Sequence, residues 1–229
     1  MKDEFISMKR TARLAGLLYL VLALAGAYGI MYVSTQLFVK DDALATANNI
    51  RAHEFLLRTG IVSHLLSATV FLFMVLTLYR LLKSVNEHRA RVMVALVVVQ
   101  VPIIFIIEAL RFTALRILTN DSSAPVVLPA PDTAMLLLKI HRYGIEIVEI
   151  FWGLWLIPFG QLVYRSVFIP RLLGILLVIA GFGYVVDSCA SLLLPSHRVF
   201  TRLPAFAFSA IGEISAILWL LIKGVKEDR

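Results

Sequence analysis

Six long apolar stretches separated by short polar connections organise the chain, at residues 12–34, 60–82, 92–118, 134–164, 172–194 and 203–222. Each offers the roughly 20 residues that a helix needs to cross about 30 Å of hydrocarbon. The pattern predicts an all-α fold, a polytopic membrane protein with six transmembrane helices in a single bundle, with residues 1–229 forming one domain. The fourth stretch is longer than a bilayer requires, so residues 132–142 are expected to project into the interface, or the helix to tilt. Pro102 and Pro158 are expected to bend the third and fourth helices. Gly16, Gly26, Gly153, Gly174 and Gly181 offer close backbone contacts between helices. There is no internal repeat and no low-complexity segment.

Two connections have character of their own. Across residues 41–58, Leu44, Ala47, Ile50 and Phe55 recur at helical spacing behind Asp41 or Asp42 as an N-cap, which predicts an interfacial helix leading into the second span. Residues 119–132, with Pro125, Pro129 and Pro131, predict an irregular loop that carries the sequon-like triplet Asn120-Asp121-Ser122.

Composition agrees with a bilayer: 60% of the 229 residues are hydrophobic and 16% charged, too little polar surface for a soluble globule of this size. The net charge of +7 does not indicate nucleic acid, because the basic residues cluster between the apolar runs. Lys2, Lys9, Arg10, Arg13, Arg80, Lys83, Arg89, Arg91, Arg165, Arg171, Lys223, Lys226 and Arg229 fall on one side of the predicted topology, and fewer fall on the other. Both termini are therefore expected in the cytoplasm, and the protein in a bacterial inner membrane. The first run continues well past Ala23-Leu24-Ala25, which argues against a cleaved signal peptide. Cys189 has no intrachain partner and is expected to be a buried, inert thiol.

Several segments resemble a family of bacterial multi-pass membrane proteins known as domain of unknown function 4386. The likeness rests on residues 12–20 (ARLAGLLYL), on residues 47–58 with the His53-Glu54 pair, and most clearly on Tyr164-Arg165-Ser166, Ile169-Pro170-Arg171-Leu172-Leu173-Gly174 and the run from Ala180 to Ser188. The resemblance implies a helical membrane fold with His141 and Asp187 at positions where the family tends to carry those residues. It also implies an acidic residue where this chain has His64. No activity follows from it.

Chemistry is sought where ionisable groups enter apolar segments, because a charge in hydrocarbon costs several kcal/mol unless it faces a partner or a cavity. Those groups are His64, Glu108, Arg111, His141, Glu146, Glu149, Asp187 and Glu213, spread over five helices. At about 100° per residue, Glu149 lies about 80° and Glu146 about 140° around from His141, so the three can share a face. Glu108 and Arg111, three apart, are expected to pair. Asp187 is expected to be held by hydroxyls of its own helix, Tyr184, Ser188 and Ser191, or by Arg111. Trp152 and Trp155 are expected to pack. Carboxylates outnumber arginines in this set, which predicts either protonated carboxyls or a bound cation.

Three functional readings follow. One is an acidic, externally accessible intramembrane site, made by His141, Glu146, Glu149, Asp187, Glu108, Arg111 and Glu213, that binds or transports a small cationic or protonatable ligand. Six helices are few for alternating access, so a homo-oligomer is expected with it. Another is an intramembrane, hydrolase-like metal enzyme in which His64, His141 and Asp187 or Glu149 hold a divalent ion such as zinc. The third is an accessory or sensor protein whose polar residues only fix helix packing. A b-type haem between His64 and His141 is also compatible with the residues. His-Glu-x-x-His, Cys-x-x-Cys, Gly-x-Ser-x-Gly and glycine-rich phosphate motifs are all absent.

Overall fold

The computed structural model describes residues 2–119, 129–194 and 198–226, and among the described residues there is no strand. In chain order the elements are α1 (Lys2–Gly26), a π-helical segment (Ala27–Tyr32), α2 (Val33–Leu37), α3 (Ala43–Ala52), α4 (Glu54–Leu82), α5 (Glu87–Leu118), α6 (Ala130–Arg165), α7 (Arg171–Leu193) and α8 (Arg198–Ile222). Among the described residues, six helical stretches are long and apolar enough to cross a membrane: Ile6–Leu37, Glu54–Leu82, Glu87–Leu118, Ala130–Arg165, Arg171–Leu193 and Phe200–Ile222. This is a multi-pass, all-α membrane protein, and each predicted span matches one of these stretches, the fifth overrunning its end by one residue. α4 and α5 begin earlier than hydropathy indicates, because at each start an acidic residue favourably meets the positive end of the helix dipole and pairs one turn on, Glu54 with Arg58 and Glu87 with Arg91. Pro102, Pro158 and Pro204 all lie within helices. The predicted irregular connection and its sequon fall mostly on residues 120–128, outside the described residues.

The predicted interfacial helix is shorter than residues 41–58. α3 starts where Asp42 accepts a hydrogen bond from the Ala45 amide at 2.8 Å, and it ends at Ala52 because His53 leaves helical geometry (φ −127°, ψ 44°). Residues 54–58 belong to α4. Of the expected apolar face, Ala47 and Ile50 are buried, while Leu44 and Phe55 are exposed.

The chain divides into two compact units. The first comprises Met1–Val21, Val70–Val101 and Glu146–Arg229, and the second Leu22–Thr69 and Pro102–Ile145. In the first unit, α6 and α7 approach backbone to backbone. A Cβ on Gly153 would strike the Gly181 carbonyl oxygen, and one on Gly160 would lie 2.6 Å from that of Gly174. The two contacts are seven residues apart on each helix and run in opposite directions, so α6 and α7 pack as an antiparallel pair through small residues. Cys189 is exposed, a correction to the buried thiol expected from sequence. It shares a face of α7 with Phe182, Val186 and Leu193, at spacings of four, three and four, all turned outward.

In the second unit a core of Val33, Leu37, Ile50, Leu57, Leu115, Leu118 and Leu138 packs α2, α3, α4, α5 and α6 together. Above the first turns of that core the π-helical segment sets Gly29 against α4, where a Cβ would come 2.7 Å from the Gly60 carbonyl oxygen and 3.0 Å from the His64 amide. Only glycine admits this approach.

Candidate functional site

Within the second unit, three helices and the π-helical segment bring their polar groups to one buried point. α4 supplies His64, α5 supplies Glu108 and Arg111 one turn apart, and α6 supplies His141. His64 Nδ1 lies 2.7 Å and His141 Nε2 2.8 Å from the same atom, Glu108 Oε1. An ionised carboxylate oxygen can only accept, so each ring presents N–H to it. Arg111 Nη1 donates to the Gly29 carbonyl at 3.1 Å and stands 3.5 Å from both Glu108 oxygens. Glu108 is 1% exposed, Arg111 0%, His64 2% and His141 5%.

The Gly29 carbonyl is available because of the local backbone. The Val33 amide bonds to the Tyr28 carbonyl five residues back, the mark of a π-helical turn. Such a turn shifts the ladder by one residue and frees a carbonyl for an outside donor, here the buried guanidinium. Tyr28 and Ser63, neighbours in sequence of Gly29 and His64, also line an open groove of about 380 Å³ with Phe55, Arg58, Thr59, Val62 and Leu66.

Arg111 is only partly satisfied. Its Nε and Nη2 are buried and have no hydrogen-bond partner. A fully buried guanidinium with idle donors is uncommon, since the desolvation cost of an unpaired buried donor is about 1–3 kcal/mol and more for a charged group.

One donor atom from each of His64, Glu108 and His141 lies within 4.8 Å of the others, the geometry of a potential metal centre. A tetrahedral zinc ion with bonds of about 2.0–2.1 Å would set neighbouring ligand atoms about 3.3 Å apart. The two hydrogen bonds would therefore open by about half an ångström as an ion replaced their protons, and the two ring nitrogens, within 4.8 Å of one another, would take up a similar spacing.

The first unit holds the other carboxylates, each by itself differently arranged. Tyr19 donates to Glu213 Oε2 at 2.6 Å and Tyr184 to Oε1 at 3.0 Å. Aromatic rings surround this group: Trp155 meets Tyr19 edge-on with centroids 5.8 Å apart, stacks on Phe159 at 5.4 Å and meets Phe71 at 5.0 Å, while Trp152 meets Tyr184 at 6.1 Å. Both tryptophans thus pack, as their sequence context predicts. Asp187 accepts from Thr201 on α8 at 2.7 Å. Ser188 donates to the Glu146 main-chain carbonyl, and Glu149 is half-buried in the same unit.

The predicted pairing of Glu108 with Arg111 is present, as is the meeting of His64 and His141. The carboxylate that joins the two histidines is Glu108, in place of the Asp187 or Glu149 expected from sequence. Asp187 is bonded by a hydroxyl of α8, that of Thr201. Glu108 is matched by Arg111 in the second unit, and Glu146, Glu149, Asp187 and Glu213 belong to the first. Sequence reasoning passed over Tyr19, Thr201 and the Gly29 carbonyl. Tyr19 had a signal, a phenol inside an apolar span, whereas a main-chain carbonyl has none.

Residues 14–224 match the family described as Domain of unknown function (DUF4386), and the chain belongs to that family. It is 37% identical over 95 residues to an "Uncharacterized protein" of Archaeoglobus fulgidus, an alignment covering 39% of this chain and 55% of that relative. The chain thus spans about half the length of the curated relative it matches. No solved structure matches.

Proposed function

Starting from a family whose description assigns no activity, we propose that this protein holds one divalent transition-metal ion inside the membrane at His64, Glu108 and His141, and works as a hydrolase-like metal enzyme. The observation that carries this is the single oxygen, Glu108 Oε1, set 2.7 Å and 2.8 Å from two buried imidazole nitrogens. Two histidines and one glutamate are the ligand set of open catalytic zinc sites, in which the fourth position is left for water or substrate. An ion there supplies Lewis acidity, polarising a bound oxygen and lowering the pKa of a bound water. Arg111 would orient the Glu108 carboxylate from outside the ligand set, as groups around metal ligands commonly do. We place entry at the groove lined by Tyr28 and Ser63.

Cation handling without catalysis is the second reading. It is favoured by the four carboxylates that α6, α7 and α8 contribute to the first unit. The uneven distribution of basic residues supports an inner-membrane location with both termini in the cytoplasm.

Elemental analysis of protein purified without added metal tests the metal centre. Near-stoichiometric zinc, iron, cobalt or manganese is expected in wild type, with loss in His141→Ala and in His64→Ala. Metal-free wild type that also fails to take up cobalt from buffer would refute the proposal and leave the cluster as a packing device.

A further inference from the structure

We propose that the open groove between the π-helical segment and α4 is a lipid site: it seats one acyl chain of a phosphatidylethanolamine and recognises the zwitterionic headgroup through Arg58 and Glu54. The site stands with or without an ion at His64, Glu108 and His141.

The groove is built within the second unit by two antiparallel helical segments. Ser67 donates to the Leu22 carbonyl and Ser63 to the Ala25 carbonyl, both at 3.0 Å, and Tyr28 meets Thr59 at 2.9 Å. Tyr28, braced by stacking on Tyr32 with centroids 5.6 Å apart, forms one wall. On α4, Phe55, Thr59, Val62 and Leu66 follow at spacings of four, three and four and share one face. Phe55, Val62 and Leu66 are exposed there, around a space of about 380 Å³.

The hydroxyls that line this space are already committed. Thr59 donates to the Leu56 carbonyl at 2.9 Å, so Tyr28 is the donor in its bond to Thr59, and Ser63 is spent on the Ala25 carbonyl. Past Arg58 the groove therefore offers hydrocarbon, which suits an acyl chain and not a polar ligand. A lipid-facing helix stripe is ordinarily convex, whereas this one is concave and carries a charge pair near one end.

Depth and charge select the headgroup. α4 has 29 residues, and at 1.5 Å per residue it is about 43 Å long, the thickness of a bilayer with its headgroups. Glu54 and Arg58, in its first turns, thus lie at headgroup level, and Leu66, about 12 Å beyond Arg58, lies in the hydrocarbon. Arg58 Nε and Nη2 both bond to Glu54 Oε1, and the two side chains are 43% and 39% exposed. An exposed ion pair contributes little by itself, so both charges remain open to a lipid. The guanidinium matches a phosphate, and the carboxylate accepts from a primary ammonium, so a headgroup with one of each is complementary. An anionic headgroup gains the first contact but is repelled by Glu54, and a choline headgroup has no N–H to donate.

Native mass spectrometry of the full chain, delipidated in a neutral detergent, tests this by titration with dioleoyl phosphatidylethanolamine, phosphatidylglycerol or phosphatidylcholine. Wild type should bind its first phosphatidylethanolamine with a Kd about tenfold below that for either other lipid. Val62→Trp, at an exposed position, fills the groove and should abolish the preference. Arg58→Gln should weaken phosphatidylethanolamine to the level of phosphatidylcholine, and Glu54→Gln should shift the preference to phosphatidylglycerol. Equal Kd values for the three lipids in wild type overturn the site and leave only the lipid shell that surrounds any membrane protein. A wild-type preference for phosphatidylglycerol or phosphatidylcholine overturns the headgroup assignment. The wild-type series needs no variant, so a misfolded variant protects nothing, and a preference that survives in a folded Val62→Trp refutes the groove as its seat.

Discussion

Two glutamates in this protein, one buried and one half-buried, are treated in opposite ways. Glu213, in the first unit, has one tyrosine hydroxyl on each oxygen and an aromatic shell around those tyrosines. Each of its two oxygens is met by a neutral donor. Glu108, in the second unit, concentrates two imidazoles on one oxygen and keeps a guanidinium alongside with two nitrogens unused. Phenols are poor metal ligands at neutral pH, while neutral imidazoles are among the best. A buried carboxylate is thus not by itself a functional sign. What distinguishes a site from a structural anchor is the chemistry of its partners and whether their bonding capacity is used up.

Substitutions can break this contrast. The largest effect is expected for Glu108→Ala, which leaves a buried guanidinium with no counter-charge. Loss of metal and destabilisation of about 3–5 kcal/mol are expected, read by elemental analysis and by denaturant titration in detergent. Glu213→Leu strands two tyrosine hydroxyls and should cost about 1–3 kcal/mol while leaving metal content at the wild-type level. Metal loss on Glu213→Leu in a protein that remains folded would erase the distinction between the two glutamates. Tyr19→Phe sharpens it from the small end: an interhelical hydrogen bond of about 0.6 kcal/mol should disappear, with Tyr184 still holding the other oxygen.

Much of the fold is legible in the chain because a bilayer leaves few options. Backbone groups in hydrocarbon must be bonded internally, so six apolar stretches of sufficient length become six helices. The pairing of Glu108 with Arg111 follows equally from spacing along one helix. Less legible are the elements whose limits depend on a few backbone angles. α3 stops at His53 and not at residue 58, and the π-helical segment at Ala27–Tyr32 interrupts an otherwise uniform apolar run. The outward turn of Cys189 was readable in part, since Phe182, Val186 and Leu193 mark that face of α7.

Hydropathy, basic-residue placement and helical spacing determine that this is a helical membrane protein, which residues carry charge into its apolar segments, and that Glu108 and Arg111 lie one turn apart. Tertiary structure alone decides which carboxylate meets which histidine. Each residue step turns a side chain by about 100° around its helix, so a small rotation or shift of α4, α5 or α6 would exchange partners across an interface only a few ångströms wide. Sequence records the residues on each helix but not those relative rotations. For that reason Glu108, and not Asp187, joins His64 to His141, and the idle edge of Arg111 becomes visible only once the helices are packed.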